Sequence, residues 1–162
     1  MIPIRAYRSE DWPQLWSILE PIFRAGETYV FNPDISAAEA QGIWVDTPHL
    51  TFVAEDSHAQ IVGSYYLKPN QPGLGSHVCN SGYVVAEAAQ GQGIGAALCH
   101  HSQVIARAEG FRAMQFNLVV STNHRAVHLW QKLGFEVVGR LPAAFNHRRY
   151  GYVDALVMYR LL

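Results

Sequence analysis

The chain is short of charge, of cysteine and of long apolar runs, and each shortage excludes something. Charged residues make up 15% of its 162 residues, and the formal net charge is −1. No basic stripe runs along it, so a nucleic-acid surface is not expected. It has 2 cysteines, Cys79 and Cys99, and no Cys-x-x-Cys pair. That argues against a disulfide scaffold and for free thiols in a reducing, cytoplasmic setting. The sequence as given opens on no secretory leader, which points the same way. No apolar run is long enough to span a bilayer, so no membrane partner is expected. Repeats and low-complexity segments are also lacking. The stretch Pro69-Asn70-Gln71-Pro72-Gly73-Leu74-Gly75 reads as a surface loop within a domain. What remains is 49% hydrophobic, enough for one substantial core in a single domain spanning 1–162.

Periodicity divides that domain into alternating elements. Ile2 to Tyr7 reads as a strand. A helix follows with Ser9 as N-cap and Trp12, Leu15, Trp16, Leu19, Ile22 and Phe23 on one stripe, kinked or interrupted at Pro21. Ser36 and Glu39 have capping-box spacing, so a short helix runs from Ala37 toward Trp44. Leu50 to Glu55 and Gln60 to Leu67 form a hairpin, and Asn80 to Val85 a further strand. A second long helix carries Ile94, Ala97, Leu98, His101, Ile105 and Ala108 on one face and stops at Gly110. Ala113 to Val120 reads as a strand and Asn123 to Leu133 as a helix ended by Gly134. Phe135 to Leu141 and Tyr152 to Leu161 close the chain as strands. This order predicts an α/β (α+β) architecture, a mixed sheet covered by helices. Sites must then lie at strand ends or in a split of the sheet.

The most informative segment is Gln90-Gly91-Gln92-Gly93-Ile94-Gly95, between a strand and a helix. Its glycines clear side chains from the turn. Backbone N–H groups and the helix N-terminus can then meet a phosphate or pyrophosphate directly. A plain tight connection is the bland alternative. Dinucleotide binding is another, because Gly91-x-Gly93-x-x-Ala96 fits that fingerprint. That motif expects an acidic residue about twenty positions later, at the end of the next strand. Ala113 to Val120 contains neither Asp nor Glu.

The loop, the element order and Leu129-Trp130-Gln131-Lys132-Leu133-Gly134-Phe135 together resemble the GCN5-related N-acetyltransferase superfamily. The loop matches Gln/Arg-x-x-Gly-x-Gly/Ala. Asn123 followed by Lys132, Gly134 and Phe135 matches the second signature. The resemblance covers essentially the whole chain. It implies a mostly antiparallel sheet of about seven strands, splayed in a V between the fourth and fifth and flanked by about four helices. It implies acetyl-CoA as co-substrate, with the pantetheine arm in the gap. Val84 and Val85 would meet the arm. Gln90, Gly91, Gln92, Gly93, Ile94 and Gly95 would cradle the pyrophosphate. Asn123, Ala126 and Trp130 would line the rest of the cofactor groove. Many relatives are dimers, so a homodimer is compatible with it, although nothing in the sequence marks an interface.

Two departures matter. Position 90 is Gln rather than Arg, so no fixed cation comes from that residue. Trp130 stands where many members have the Tyr that protonates the leaving sulfur. An indole N–H donates a hydrogen bond but cannot give up a proton near neutral pH. Thiols ionise near pH 8.5, so a strong acid is optional and positioning carries most of the reaction.

Three asparagines are candidates for the polar work: Asn80 and Asn117 on the cleft strands, and Asn123 after them. Each could instead cap unpaired backbone at the splay. Their setting resembles the fungal acetyltransferases of azetidine-2-carboxylate and other proline analogues. That likeness implies that Asn80 and Asn117 hold a small amine substrate and Asn123 assists at the reacting centre. Arg24, Glu27, Thr28 and Tyr29 fall in the segment that is the acceptor lid of the superfamily, with Glu27 a candidate base. No metal is expected: His124 and His128 are four apart but lack the intervening Glu. Two other functions stay open, a non-catalytic acyl-CoA-binding module and an acetyltransferase of peptide or protein N-termini.

Overall fold

The computed structural model describes residues 2–162. Seven strands form one sheet in the order β1-β2-β3-β4-β5-β7-β6. The strands are β1 (Ile4–Ala6), β2 (Leu50–Glu55), β3 (Ile61–Pro69), β4 (Val78–Val85), β5 (Ala113–Val120), β6 (Glu136–His147) and β7 (Gly151–Leu161). The helices are α1 (Trp12–Ala25), α2 (Ala37–Gln41), α3 (Ile94–Ala108) and α4 (His124–Lys132). Every neighbouring pair is antiparallel except β4 with β5, which is parallel.

Two apolar clusters cover the two faces of the sheet. Leu15, Leu19 and Phe23 of α1 pack with Trp44, Val53 and Tyr66 on one face. Leu98 of α3 and Trp130 of α4 pack with Tyr65, Met114, Phe116 and Met158 on the other. Of the expected α1 stripe, Leu15, Leu19 and Phe23 are buried and Trp12, Trp16 and Ile22 half-buried, while Ile18, which the spacing left out, is buried with them; Pro21 does not interrupt the helix. Pro21 sits on the exposed side, where the carbonyl that loses its helical donor can meet water. Ser9 is not the cap. It lies in a 3-10 turn, and the Asp11 carboxylate accepts from Arg8 N–H at 2.7 Å instead. Asp11 also takes two bonds from the Arg5 guanidinium, which hold its carboxyl below the usual range. After α2 the chain widens into a π-helical turn, Gly42–Asp46. That turn brings Trp44 into the core, where its Nε1 donates to Ser64 Oγ at 3.0 Å.

The buried face of α3 departs from expectation. It consists of Ile94, Leu98, Cys99, Ser102, Gln103 and Ala106, while Ala108 is exposed. Ser102 and Gln103 go inward because both find partners: Tyr83 Oη at 2.7 Å for Ser102 and Cys99 Sγ at 3.4 Å for Gln103. β6 runs past the expected end at Leu141. It tolerates Pro142 because it is an edge strand with a register shift between Leu141 and Phe145. Ala143 adopts φ 49° within that shift, its N–H bonded to Asp154 Oδ1 at 3.0 Å.

Candidate functional site

The site begins where two strands part. β4 and β5 pair only at Val78–Ala113 and Cys79–Met114, although β4 continues to Val85 and β5 to Val120. The cause is visible on β5. Between Phe116–Met158 and Val119–Leu156, β5 advances three residues while β7 advances two. This β-bulge at Asn117–Leu118 bends β5 away from β4.

On its other edge β4 stays zipped to β3, from Gly63–Val85 to Pro69–Cys79. Ala86 N–H and Val78 C=O bond toward β3 and its loop. By alternation, the backbone groups of Ser81, Tyr83 and Val85 face the gap. Asn80 closes the fork. Its Nδ2 donates to Gln115 C=O at 3.0 Å, and its Oδ1 accepts from Tyr66 Oη at 3.2 Å. Asn80 therefore caps the first free carbonyl of β5.

A groove of about 820 Å³ fills the gap. Val84, Val85, Gln90, Gly91, Gly93, Ile94, Gly95, Asn123, Ala126 and Trp130 all line it. Gln92 does not; it is exposed, with Nε2 on Ala88 C=O. Gly91 and Gly93 adopt φ 79° and 80°. A Cβ there would meet no protein atom within 4 Å, so backbone conformation rather than crowding requires glycine. At Gly95 closeness does matter, since a Cβ would stand 3.3 Å from Leu129 Cδ2 on α4. The opening N–H groups of α3 have no partner inside the helix and lie along the groove. The cation missing at position 90 arrives from elsewhere. Arg125 of α4 also lines the groove and donates to Gln90 Oε1 at 3.1 Å.

Asn123 is the N-cap of α4, its Oδ1 accepting from Ala126 N–H at 3.2 Å. Only its NH₂ remains to donate. Asn117 is not the buried strand residue the sequence suggests. The bulge turns it outward, where it donates to Asn70 Oδ1 at 2.7 Å and accepts from Gln115 Nε2 at 2.9 Å. It still lines the groove.

Of the expected lid residues, Thr28 and Tyr29 line the groove. Arg24 and Glu27 do not. Arg24 is engaged with Glu20 and with Pro33 C=O, and Glu27 is exposed. Tyr29 donates to Tyr83 C=O at 2.9 Å and stacks on Phe31. A second cavity of about 640 Å³ lies behind this segment, between Tyr29–Pro33 and the β6–β7 hairpin. Neither cavity has an Asp or Glu among its described lining residues.

No phenol or thiol here is poised to ionise. Burial pushes Tyr66 up to about 12 and Tyr29 and Tyr83 well above the ordinary range. Burial likewise raises Cys79 to about 12 and lifts Cys99, which argues against either as an acyl-carrying nucleophile. Trp130 packs among Tyr83, Phe116 and Phe135. No group of three metal-ligating side chains occurs among the described residues. No described helix is long and apolar enough to cross a membrane. Sequence reasoning missed Tyr66, Gly82 and Lys68, which line the groove from the α1 face and carry no local motif.

Residues 12–135 match the Acetyltransferase (GNAT) family. The N-acetyltransferase aca1 of Schizosaccharomyces pombe is 36% identical over 68% of this chain; the chain spans about half, 53%, of that relative's length. A GCN5-related N-acetyltransferase from Kribbella flavida superposes with TM-score 0.94 at 44% identity, covering 99% of this chain and 98% of that one. A phosphinothricin acetyltransferase from Sinorhizobium meliloti, solved with AcCoA, shares the fold at TM-score 0.87 and 22% identity, over 99% of this chain and 88% of that one. With its strands parted above a glycine turn, this chain belongs to the GNAT family of acetyltransferases.

Proposed function

We propose that this chain moves an acetyl group from acetyl-CoA to the amine of a small molecule, an amino acid or proline analogue, by direct transfer in a ternary complex. The observation that carries this reading is the fork: β4 and β5 separate from Asn80 and Gln115 onward, and the gap between them is continuous with the glycine turn that follows β4. The Tyr83 carbonyl is taken by Tyr29 Oη, but the Tyr83 N–H and the gap-facing groups of Ser81 and Val85 suit an extended amide chain, which would pair as an added strand does. The turn at Gly91 to Gly95 and the Arg125 guanidinium suit a pyrophosphate.

The thioester supplies an activated carbonyl and a tolerable leaving group. The chain's own residues position and polarise. Asn123 NH₂ is free to donate toward the reacting centre. Tyr29 and Tyr66 donate their hydroxyls to Tyr83 C=O and Asn80 Oδ1, and Tyr83 Oη is paired with Ser102 Oγ, so none has a free O–H to offer the departing sulfur. No carboxylate is among the described lining residues, and His128 of α4 is the one imidazole among them; transfer in any case needs the acceptor as the free amine. The rate should therefore rise with pH until the acceptor's own ammonium is titrated.

The S. pombe relative supports N-acetyl transfer, and the likeness to fungal proline-analogue acetyltransferases supports the acceptor class. The reading includes a cytoplasmic setting for the two free thiols, no resident metal and a homodimer. Transfer to a peptide N-terminus is disfavoured by the aromatic segment over the groove, Tyr29 and Phe31. A purely acyl-CoA-binding role would leave thioester hydrolysis independent of any amine. Calorimetric titration with acetyl-CoA, followed by a thiol-release screen of amino acids and proline analogues, tests the reading. Absence of acetyl-CoA binding ends it.

A further inference from the structure

We infer that Lys68 binds a carboxylate of the acceptor, which makes the acceptor an amine bearing a nearby carboxylate rather than a simple amine. This rests on the acetyltransferase reading above and names the substrate class for the same cleft. Lys68 lies on β3 directly opposite Asn80, the residue that closes the fork. Directly opposed residues share a face, so Lys68, Asn80, Tyr66 and Gly82 all look out on the α1 side of the sheet.

Gly82 is the floor there, and the Tyr66 ring and the Tyr29 hydroxyl close over it. A Cβ at this position would stand 2.6 Å from the Tyr66 ring and 3.1 Å from Tyr29 Oη. Lys68 rises beside that floor, its Nζ 5.4 Å from the Tyr66 ring centroid, a placement the ring quadrupole favours. The other two lysine or arginine side chains lining the groove, Arg125 and Lys132, belong to α4. No acidic side chain lines the groove, and no salt bridge engages Lys68 among the described residues. Asn70, two residues on, and Asn117 of β5 are neutral amides bonded to each other at 2.7 Å, so neither supplies a counter-charge.

A half-buried ammonium with no acidic partner favours an anion there and disfavours a second cation. The transferred group goes to an amine in the gap, so the anion must sit within a few bonds of that amine. An α-amino carboxylate has this geometry; an amine without the acid group leaves Lys68 unpaired.

The test compares three matched acceptors: an α-amino acid, its carboxamide and its decarboxylated amine. They are assayed by thiol release with wild type, Lys68→Met and Lys68→Arg. The expected result is a kcat/KM preference of about tenfold or more for the acid, carried by KM. Lys68→Met should erase it with acetyl-CoA affinity unchanged, and Lys68→Arg should restore part of it. Titration of the N-acetylated acid against the N-acetylated amide gives a readout without turnover, and the acid should bind more tightly only when position 68 is cationic. An unchanged acid-to-amide ratio in Lys68→Met overturns the inference, as does equal binding of the two products by wild type. Preferential turnover of the decarboxylated amine also sinks it while leaving acetyl transfer intact. Failure of acetyl-CoA itself to bind defeats the underlying reading instead.

Discussion

The two halves of the cleft are built from different material. The half we propose for the cofactor is mostly backbone: glycine turns at φ 79° and 80°, the first turn of α3 and the gap-facing edge of β4. The half we propose for the acceptor is mostly side chain: Tyr29, Tyr66, Lys68, Asn80 and Asn117, contributed by separate elements. A backbone site recognises a constant ligand, because N–H and C=O groups are the same whatever the residue. A side-chain site can change its ligand by substitution without moving the chain. The family can therefore keep one acyl donor while varying the acceptor.

Substitutions that cross this division sharpen it. Gly93→Val should have the largest effect. A β-branched residue at φ 80° is strained by ~1–2 kcal/mol or more, and the turn must relax out of its anion-binding shape. Acetyl-CoA affinity should fall by about a hundredfold in calorimetry. An unchanged affinity would show that side chains, not the turn, hold the diphosphate.

Asn123 stands on the border, half cap and half donor. Asn123→Asp keeps an oxygen for the Ala126 N–H but removes the amide NH₂. It should lower kcat about tenfold with little change in acetyl-CoA affinity. Asn123→Ala should lose the same activity and about 1 kcal/mol of stability as well. Equal losses in kcat and cofactor binding would move this residue wholly into the cofactor half.

Asn80 should give the smallest functional change. Asn80→Ala leaves the Gln115 carbonyl and the Tyr66 hydroxyl without their partner. A stability loss of about 1–3 kcal/mol in denaturant unfolding is expected, with acetyl-CoA affinity within a few fold of wild type. A large kcat loss without loss of stability would place Asn80 at the chemistry rather than at the hinge of the fork.

The acceptor half was also the harder one to read in advance. Glycine spacing exposes a backbone site, because few other residues tolerate those torsions, so Gly91 to Gly95 and the signature from Asn123 to Phe135 marked the groove. Lys68 and Tyr66 look like any polar and aromatic residues of a strand, and only the pairing of β3 with β4 sets them beside the fork. Arg24 and Glu27 illustrate the reverse: near the cleft in sequence, they spend themselves on Glu20 and Pro33 or on solvent. On α3, periodicity discounted Ser102 and Gln103 because their burial depends on partners from β4 and from their own helix.

Local sequence thus determined the elements of this protein, their order and the turn beside the groove, since periodicity, caps and glycine torsions act over a few residues. Tertiary structure decided where the sheet opens. That depends on one extra residue in β5 measured against β7, and a bulge exists only relative to the strand beside it.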